Sequence, residues 1–80
     1  MKKEILFFSS PWCGPCKQMK SMLSESIISE LSIRIINISD DMEIATEHKV
    51  MNVPTFIKLV DGVEETRVIG ATTIDALRKL

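Results

Sequence analysis

The sequence predicts an α/β fold with a mixed four-stranded sheet flanked by three helices, in the order β-α-β-α-β-β-α. Two apolar runs, Glu4 to Ser9 (EILFFS) and Ile33 to Ile38 (IRIINI), flank a stretch whose apolar residues recur every three or four positions. Parallel strands need a crossover of that kind, so the first unit is βαβ. Further on, Asp61-Gly62 separates two strand-like runs at hairpin spacing, which makes the last strand pair antiparallel.

The first run is short, apolar and partly aromatic and ends in Ser9-Ser10-Pro11, which suits a strand buried on both faces. From Cys13 to Leu31 the apolar residues Cys16, Met19, Leu23 and Ile27 define one face, with Lys17, Lys20, Ser24 and Glu25 on others, predicting an amphipathic helix. Pro15 falls in its first turn, where a missing amide hydrogen costs no intrahelical bond. Ile33 to Ile38 is mostly β-branched and reads as a second buried strand. Asp40 to Glu43 has the Asp-x-x-Glu form of a capped helix start, and a short helix follows to about Lys49. Asn52-Val53-Pro54 breaks the helical pattern, Thr55 to Val60 and Val63 to Ile69 form the hairpin, and Gly70 ends it. Thr72 or Thr73 then caps a closing helix, Ile74 to Leu80, with Ile74, Leu77 and Leu80 on one face.

Composition narrows the function. The chain has 80 residues, 45% hydrophobic and 26% charged, so residues 1–80 read as a single domain with a small core. The formal net charge is −1 and the basic residues are scattered, so neither nucleic acid nor membrane is an expected partner. The apolar run Ile5 to Phe8 is too short for a secretory leader, and the expected location is cytoplasmic. In that compartment a structural disulfide is unusual, and a bridge between Cys13 and Cys16 closes too short a loop to stabilise much.

The two cysteines are therefore expected to serve reactivity or metal. Cys13 sits where a strand gives way to a helix, whose unpaired amides and positive dipole end favour a thiolate. Cys16, three residues on, is within reach of a mixed disulfide formed at Cys13 and is partly screened on the apolar face. Gly14 and Pro15 permit a tight, stiff link, and Trp12 offers a flat apolar contact to a protein partner. Two other readings stand beside this one. A zinc site wants four ligands, and the chain offers two cysteines and the distant His48. The alternative is a pair of inert core thiols, which the cytosol tolerates.

The residues Trp12 to Lys17, WCGPCK, resemble the active site of the thioredoxin family. Val53-Pro54-Thr55-Phe56 is similar to that family's cis-proline loop, Asp61-Gly62 to its hairpin turn, and Gly70-Ala71 to its second substrate-facing loop. The resemblance covers nearly all 80 residues and lacks the family's amino-terminal strand and helix, leaving a minimal thioredoxin-like fold of the kind seen also in glutaredoxins. It implies a protein-disulfide reductase in which Cys13 attacks and Cys16 resolves. It also implies a cis Pro54 against the disulfide and an apolar rim of Trp12, Val53, Gly70 and Ala71. No bound cofactor is expected beyond the redox-active Cys13–Cys16 disulfide. Electrons would come from NADPH through a flavoprotein thioredoxin reductase and pass to disulfide-containing targets, ribonucleotide reductase among the candidates, with the protein a monomer.

Two departures from the family stand out. The usual buried aspartate is replaced by Phe7 and the lysine near it by about Ile35, so the expected acid–base pair is absent. Water admitted by Ser9 and Ser10, or the field of Lys17, is the expected substitute in taking the proton from Cys16. A glutaredoxin-like donor dedicated to one target is the nearer alternative, although Gly70-Ala71-Thr72 lacks the glycine pair and following acid of glutathione-binding relatives. A docking module with incidental thiols is the more distant one. His48 reads as solvent-facing or compatible with a helix end, Met19 and Met22 as core filling, and Met51 as a partner-facing exception. Glu64-Glu65 and Lys2-Lys3 read as solvated edges.

Overall fold

A computed structural model describes residues 1–80. The elements in order are β1 (Lys3–Ser9), α1 (Gly14–Met22), α2 (Glu25–Leu31), β2 (Ile33–Asn37), α3 (Met42–Glu47), β3 (Thr55–Val60), β4 (Val63–Ile69) and α4 (Ile74–Arg78). The sheet order is β2-β1-β3-β4. β1 runs parallel to β2 and antiparallel to β3, which runs antiparallel to β4, so the sheet is mixed as expected.

Side-chain alternation on the central β1 sorts the core onto two faces. Ile5 and Phe7 lie with Cys16, Met19, Leu23, Ile33, Phe56 and Leu77 under α1, α2 and α4. Leu6 and Phe8 lie with Ile36, Ala45, Ile57 and Leu59 under α3. Val53 packs against both clusters, which joins them at one end of the sheet.

The predicted helix from Cys13 to Leu31 is two helices. Leu23 is extended, and the Ser24 hydroxyl accepts the Ile27 amide at 3.3 Å, starting α2 afresh. The apolar face survives the break, since Cys16, Met19 and Leu23 are buried and Ile27 packs against the same cluster. Ser32 in the left-handed conformation (φ 51°) ends α2 and turns the chain into β2.

β2 is an edge strand rather than a buried one. Ile33 and Ile36 are buried on opposite faces, but Arg34 is exposed and Ile35 is 41% exposed, because no further strand pairs with that margin. α3 also differs from expectation. Asp41 precedes it without a side-chain cap, so the Asp40-x-x-Glu43 pairing does not form, and the helix ends at Glu47. The hairpin is as predicted, with Asp61 at φ 52° and Gly62 at φ 83°, both in the region a two-residue turn of this kind requires. A register shift at Lys58/Leu59, which sequence did not signal, bends β4.

Candidate active site

The site lies where β1 meets α1. The turn out of β1 is built by Ser10: its hydroxyl accepts the Trp12 amide at 3.2 Å and its carbonyl accepts the Cys13 amide at 3.3 Å. Those two bonds set the entry angle of the helix. Cys13 then occupies the N-cap position with extended backbone (φ −96°, ψ 110°), and its Sγ accepts the Cys16 amide at 3.1 Å. A sulfur in that position receives an orphan amide of the first turn and lies at the positive end of a nine-residue helix. The arrangement favours the thiolate over the thiol once the pair is reduced.

Cys13 and Cys16 are joined as a disulfide, with Cα atoms 5.2 Å apart. The two sulfurs have different surroundings. Cys13 is half-buried at the protein surface, whereas Cys16 is fully buried in the cluster that contains Phe7 and Phe56. The rings of those phenylalanines stack with centroids 4.6 Å apart in the cluster on which both cysteines pack. Phe7 is opposite Ile35 in the parallel register, so the position of the family's usual acid–base pair holds two apolar side chains. On the same face, Lys58 lies opposite Ile5 with its side chain only 12% exposed, and its ammonium donates to the Leu80 carbonyl and pairs with Glu65. Lys17 is exposed, and Ser9, expected to admit water, is fully buried with its Oγ unpartnered.

The remaining sequence-derived residues divide by location. Val53 packs on the same cluster as Cys13, and the Val53–Pro54 peptide bond is cis, with Pro54 buried. The Gly70 amide donates to the Pro54 carbonyl at 2.8 Å, which ties the two expected substrate-facing loops together. Gly70 has φ 100°, a conformation that suits glycine. Trp12, Gly14, Pro15 and Ala71 are exposed, Trp12 to 82% and Met51 to 88%. Met22 departs from its core reading and is 44% exposed. His48 packs its ring 5.9 Å from that of Phe8 at the end of α3, away from the sulfurs' cluster.

Sequence reasoning missed the turn-building role of Ser10, for which Ser10-Pro11 is the available signal. It also missed the Gly70–Pro54 bond, which no local pattern announces because it joins residues far apart in the chain.

Comparison with known proteins agrees with this geometry. The family model described as thioredoxin matches residues 1–80. The thioredoxin of Chlamydia caviae is 36% identical over 78 residues, covering 95% of this chain and 76% of that protein. The thioredoxin of Bacillus subtilis is 34% identical over 76 residues, covering 91% of this chain and 73% of that protein. Among solved structures, oxidised mitochondrial thioredoxin 3 of Saccharomyces cerevisiae superposes with a TM-score of 0.78 at 34% identity, covering 96% of this chain and 74% of that one.

Proposed function

This chain belongs to the thioredoxin family and is a thiol–disulfide oxidoreductase, and from that premise we propose that Cys13 is the attacking nucleophile and Cys16 the resolving thiol. The observation that carries these roles is the asymmetry of the pair. Cys13 Sγ holds the Cys16 amide at the helix start, while Cys16 is fully buried behind it.

In the reaction, the Cys13 thiolate attacks one sulfur of a target disulfide, forming a mixed disulfide and releasing the other target sulfur as a thiolate that takes up a proton. Cys16 then loses its proton and attacks Cys13 Sγ. The Cys13–Cys16 disulfide forms, the second target thiol leaves, and two electrons have passed to the target. The helix N-terminus favours the first step, since it lowers the cost of a charged sulfur. The second needs a proton acceptor that Phe7 and Ile35 do not supply, and water beside Lys17 is the acceptor we assign.

Substrate recognition falls to Trp12, Gly14, Pro15, Val53, Pro54, Gly70 and Ala71. Trp12 supplies exposed apolar area beside Cys13. The backbone N–H and C=O of Val53 take part in no hydrogen bond within the chain, which leaves them free to pair with an extended segment of the target. Residues 1–80 act as one domain, a reading supported by the single sheet and by Val53 bridging both clusters. A monomer suffices, because both sulfurs come from one chain. A thiol pair that must be reduced again after each turnover suits the cytoplasm, where a flavoprotein thioredoxin reductase would deliver electrons from NADPH to the disulfide. No helix of the protein is long and apolar enough to cross a membrane.

The test is NADPH consumption with a protein disulfide as substrate, comparing a thioredoxin reductase supply with glutathione plus glutathione reductase. The expected result is turnover with the flavoprotein alone, lost in Cys13→Ser. Turnover with glutathione alone would assign a glutaredoxin-like donor instead. Oxidised ribonucleotide reductase is one target to include. A double cysteine-to-serine variant that retained all biological activity would overturn the redox role in favour of docking.

A further inference from the structure

The Val53–Pro54 loop is tied to β4 and the residue that follows it at two points, and only one of them is the Gly70 bond. At the other, Arg67 reaches the carboxyl end of α3. Arg67 is opposite Ile57 in the antiparallel register, and Ile57 faces α3, so the guanidinium emerges on that face. There Nη2 donates to the His48 carbonyl at 2.7 Å and Nη1 approaches the Lys49 carbonyl at 3.5 Å. These carbonyls follow the last turn of a six-residue helix, where acceptors lack intrahelical partners and a cation is favoured. Glu64 fixes the guanidinium from the other side, accepting from Nε at 2.7 Å and from Nη2 at 2.7 Å. This two-bond fork holds Glu64 below the ordinary carboxylate pKa, chiefly through the Arg67 hydrogen bond.

The segment between the two anchors is Val50 to Val53. It carries Met51, 88% exposed, and Val53 with its unused backbone groups. Its beginning follows His48 and Lys49, held by Arg67, and its end precedes Pro54, held by Gly70. The two anchors are three residues apart, Arg67 on β4 and Gly70 just past its end, and they act beside two local bonds, from the Val50 amide to the Ala45 carbonyl at 2.9 Å and from the Thr55 hydroxyl to the Asn52 carbonyl at 2.6 Å.

We propose that Arg67, oriented by Glu64, is a positioning residue that holds the Val50–Val53 segment in place for docking a protein disulfide, without acting on the thiol chemistry. The inference rests on the reading of that segment as substrate-facing. A small disulfide needs only the exposed edge of Cys13, whereas a protein substrate needs the segment aligned. Loss of Arg67 should therefore separate the two.

The experiment measures steady-state insulin reduction, with dithiothreitol as electron supply, beside the rate at which reduced protein consumes a small aromatic disulfide. In Arg67→Ala, KM for insulin is expected to rise about tenfold with kcat and the small-disulfide rate changed by less than about twofold. Arg67→Lys, which keeps the charge and loses the fork, should recover part of that KM. Glu64→Gln leaves the arginine in place with a weaker partner and should shift KM the same way by a smaller factor. It carries the test if Arg67→Ala does not fold. An unchanged KM in folded Arg67→Ala or in Glu64→Gln overturns the proposal, as do equal losses on insulin and on the small disulfide. Failure of the wild-type protein to reduce insulin would instead overturn the functional reading beneath it.

Discussion

The face of the sheet under α1, α2 and α4 holds both sulfurs, whereas the face under α3 holds neither. Both faces are built from alternate residues of the same strands, with similar aromatic and aliphatic side chains. On the first, however, a core residue is also a reagent: Cys16 is as buried as Phe7 and Phe56 and must still lose a proton and attack. On the second, packing ends in the loop that carries Val53 and Pro54, so its contribution is geometric. The distinction implies that packing changes on the thiol face alter thiol chemistry together with stability, while equivalent changes on the α3 face alter stability and the placement of the Val53–Pro54 loop and leave the thiol chemistry as it was.

The most severe challenge to that distinction is Phe7→Asp. It removes a stacked ring and buries a carboxyl, so urea unfolding should show a loss of more than about 4 kcal/mol. If the site lacks a proton acceptor, the pH profile of mixed-disulfide resolution should change in the same variant. An unchanged profile in the folded fraction would count against a proton-transfer deficit. Phe56→Ala comes next, with an expected cost of about 3–5 kcal/mol and faster alkylation of Cys16 in the reduced protein. Across the sheet, Ile57→Val should cost about 0.5–1.5 kcal/mol and leave Cys16 alkylation as it was. If both variants expose Cys16 equally, the faces are not separable.

Smaller effects sharpen the picture at its edges. Ser24→Ala removes the hydroxyl that starts α2 on the thiol face and should lower stability by about 1 kcal/mol, read from the urea midpoint. At the α3 face, Glu64 has a pKa lowered in the folded protein by its Arg67 hydrogen bond. A lowered carboxyl contributes stability that is present above its unfolded pKa and is lost as pH falls through the folded value. The pair is partly exposed, with side-chain exposures of 25% for Arg67 and 36% for Glu64, so the loss should stay under about 1 kcal/mol. Thermal unfolding followed from neutral pH into the acid range should show it in the wild type and a flatter dependence in Glu64→Gln.

Much of this molecule was legible before any coordinates. The short apolar run EILFFS bounded by Ser-Ser-Pro, the helical spacing through Cys16, Met19, Leu23 and Ile27, and Asp61-Gly62 each express a local rule about run length, periodicity or turn conformation. The reactive pair was legible for the same reason, since CGPC places two thiols one helical turn apart at a strand-to-helix junction. The break at Leu23–Ser24 was not legible, because the apolar face runs through it and only the Ser24 cap marks it. The edge position of β2 was hidden too, since Ile33 to Ile38 is apolar enough to be buried and strand order is not a property of the strand.

Local sequence thus determined the elements, the hairpin and the thiol pair, because those depend on residues within one turn of helix or a few positions along a strand. The tertiary fold decided that Phe7 and Ile35 stand side by side, that Gly70 holds Pro54, and that Arg67 reaches His48. Each of these joins residues at least 16 positions apart, as between 54 and 70. Such contacts follow from the order and register in which the strands pair, and no short stretch of sequence contains that information.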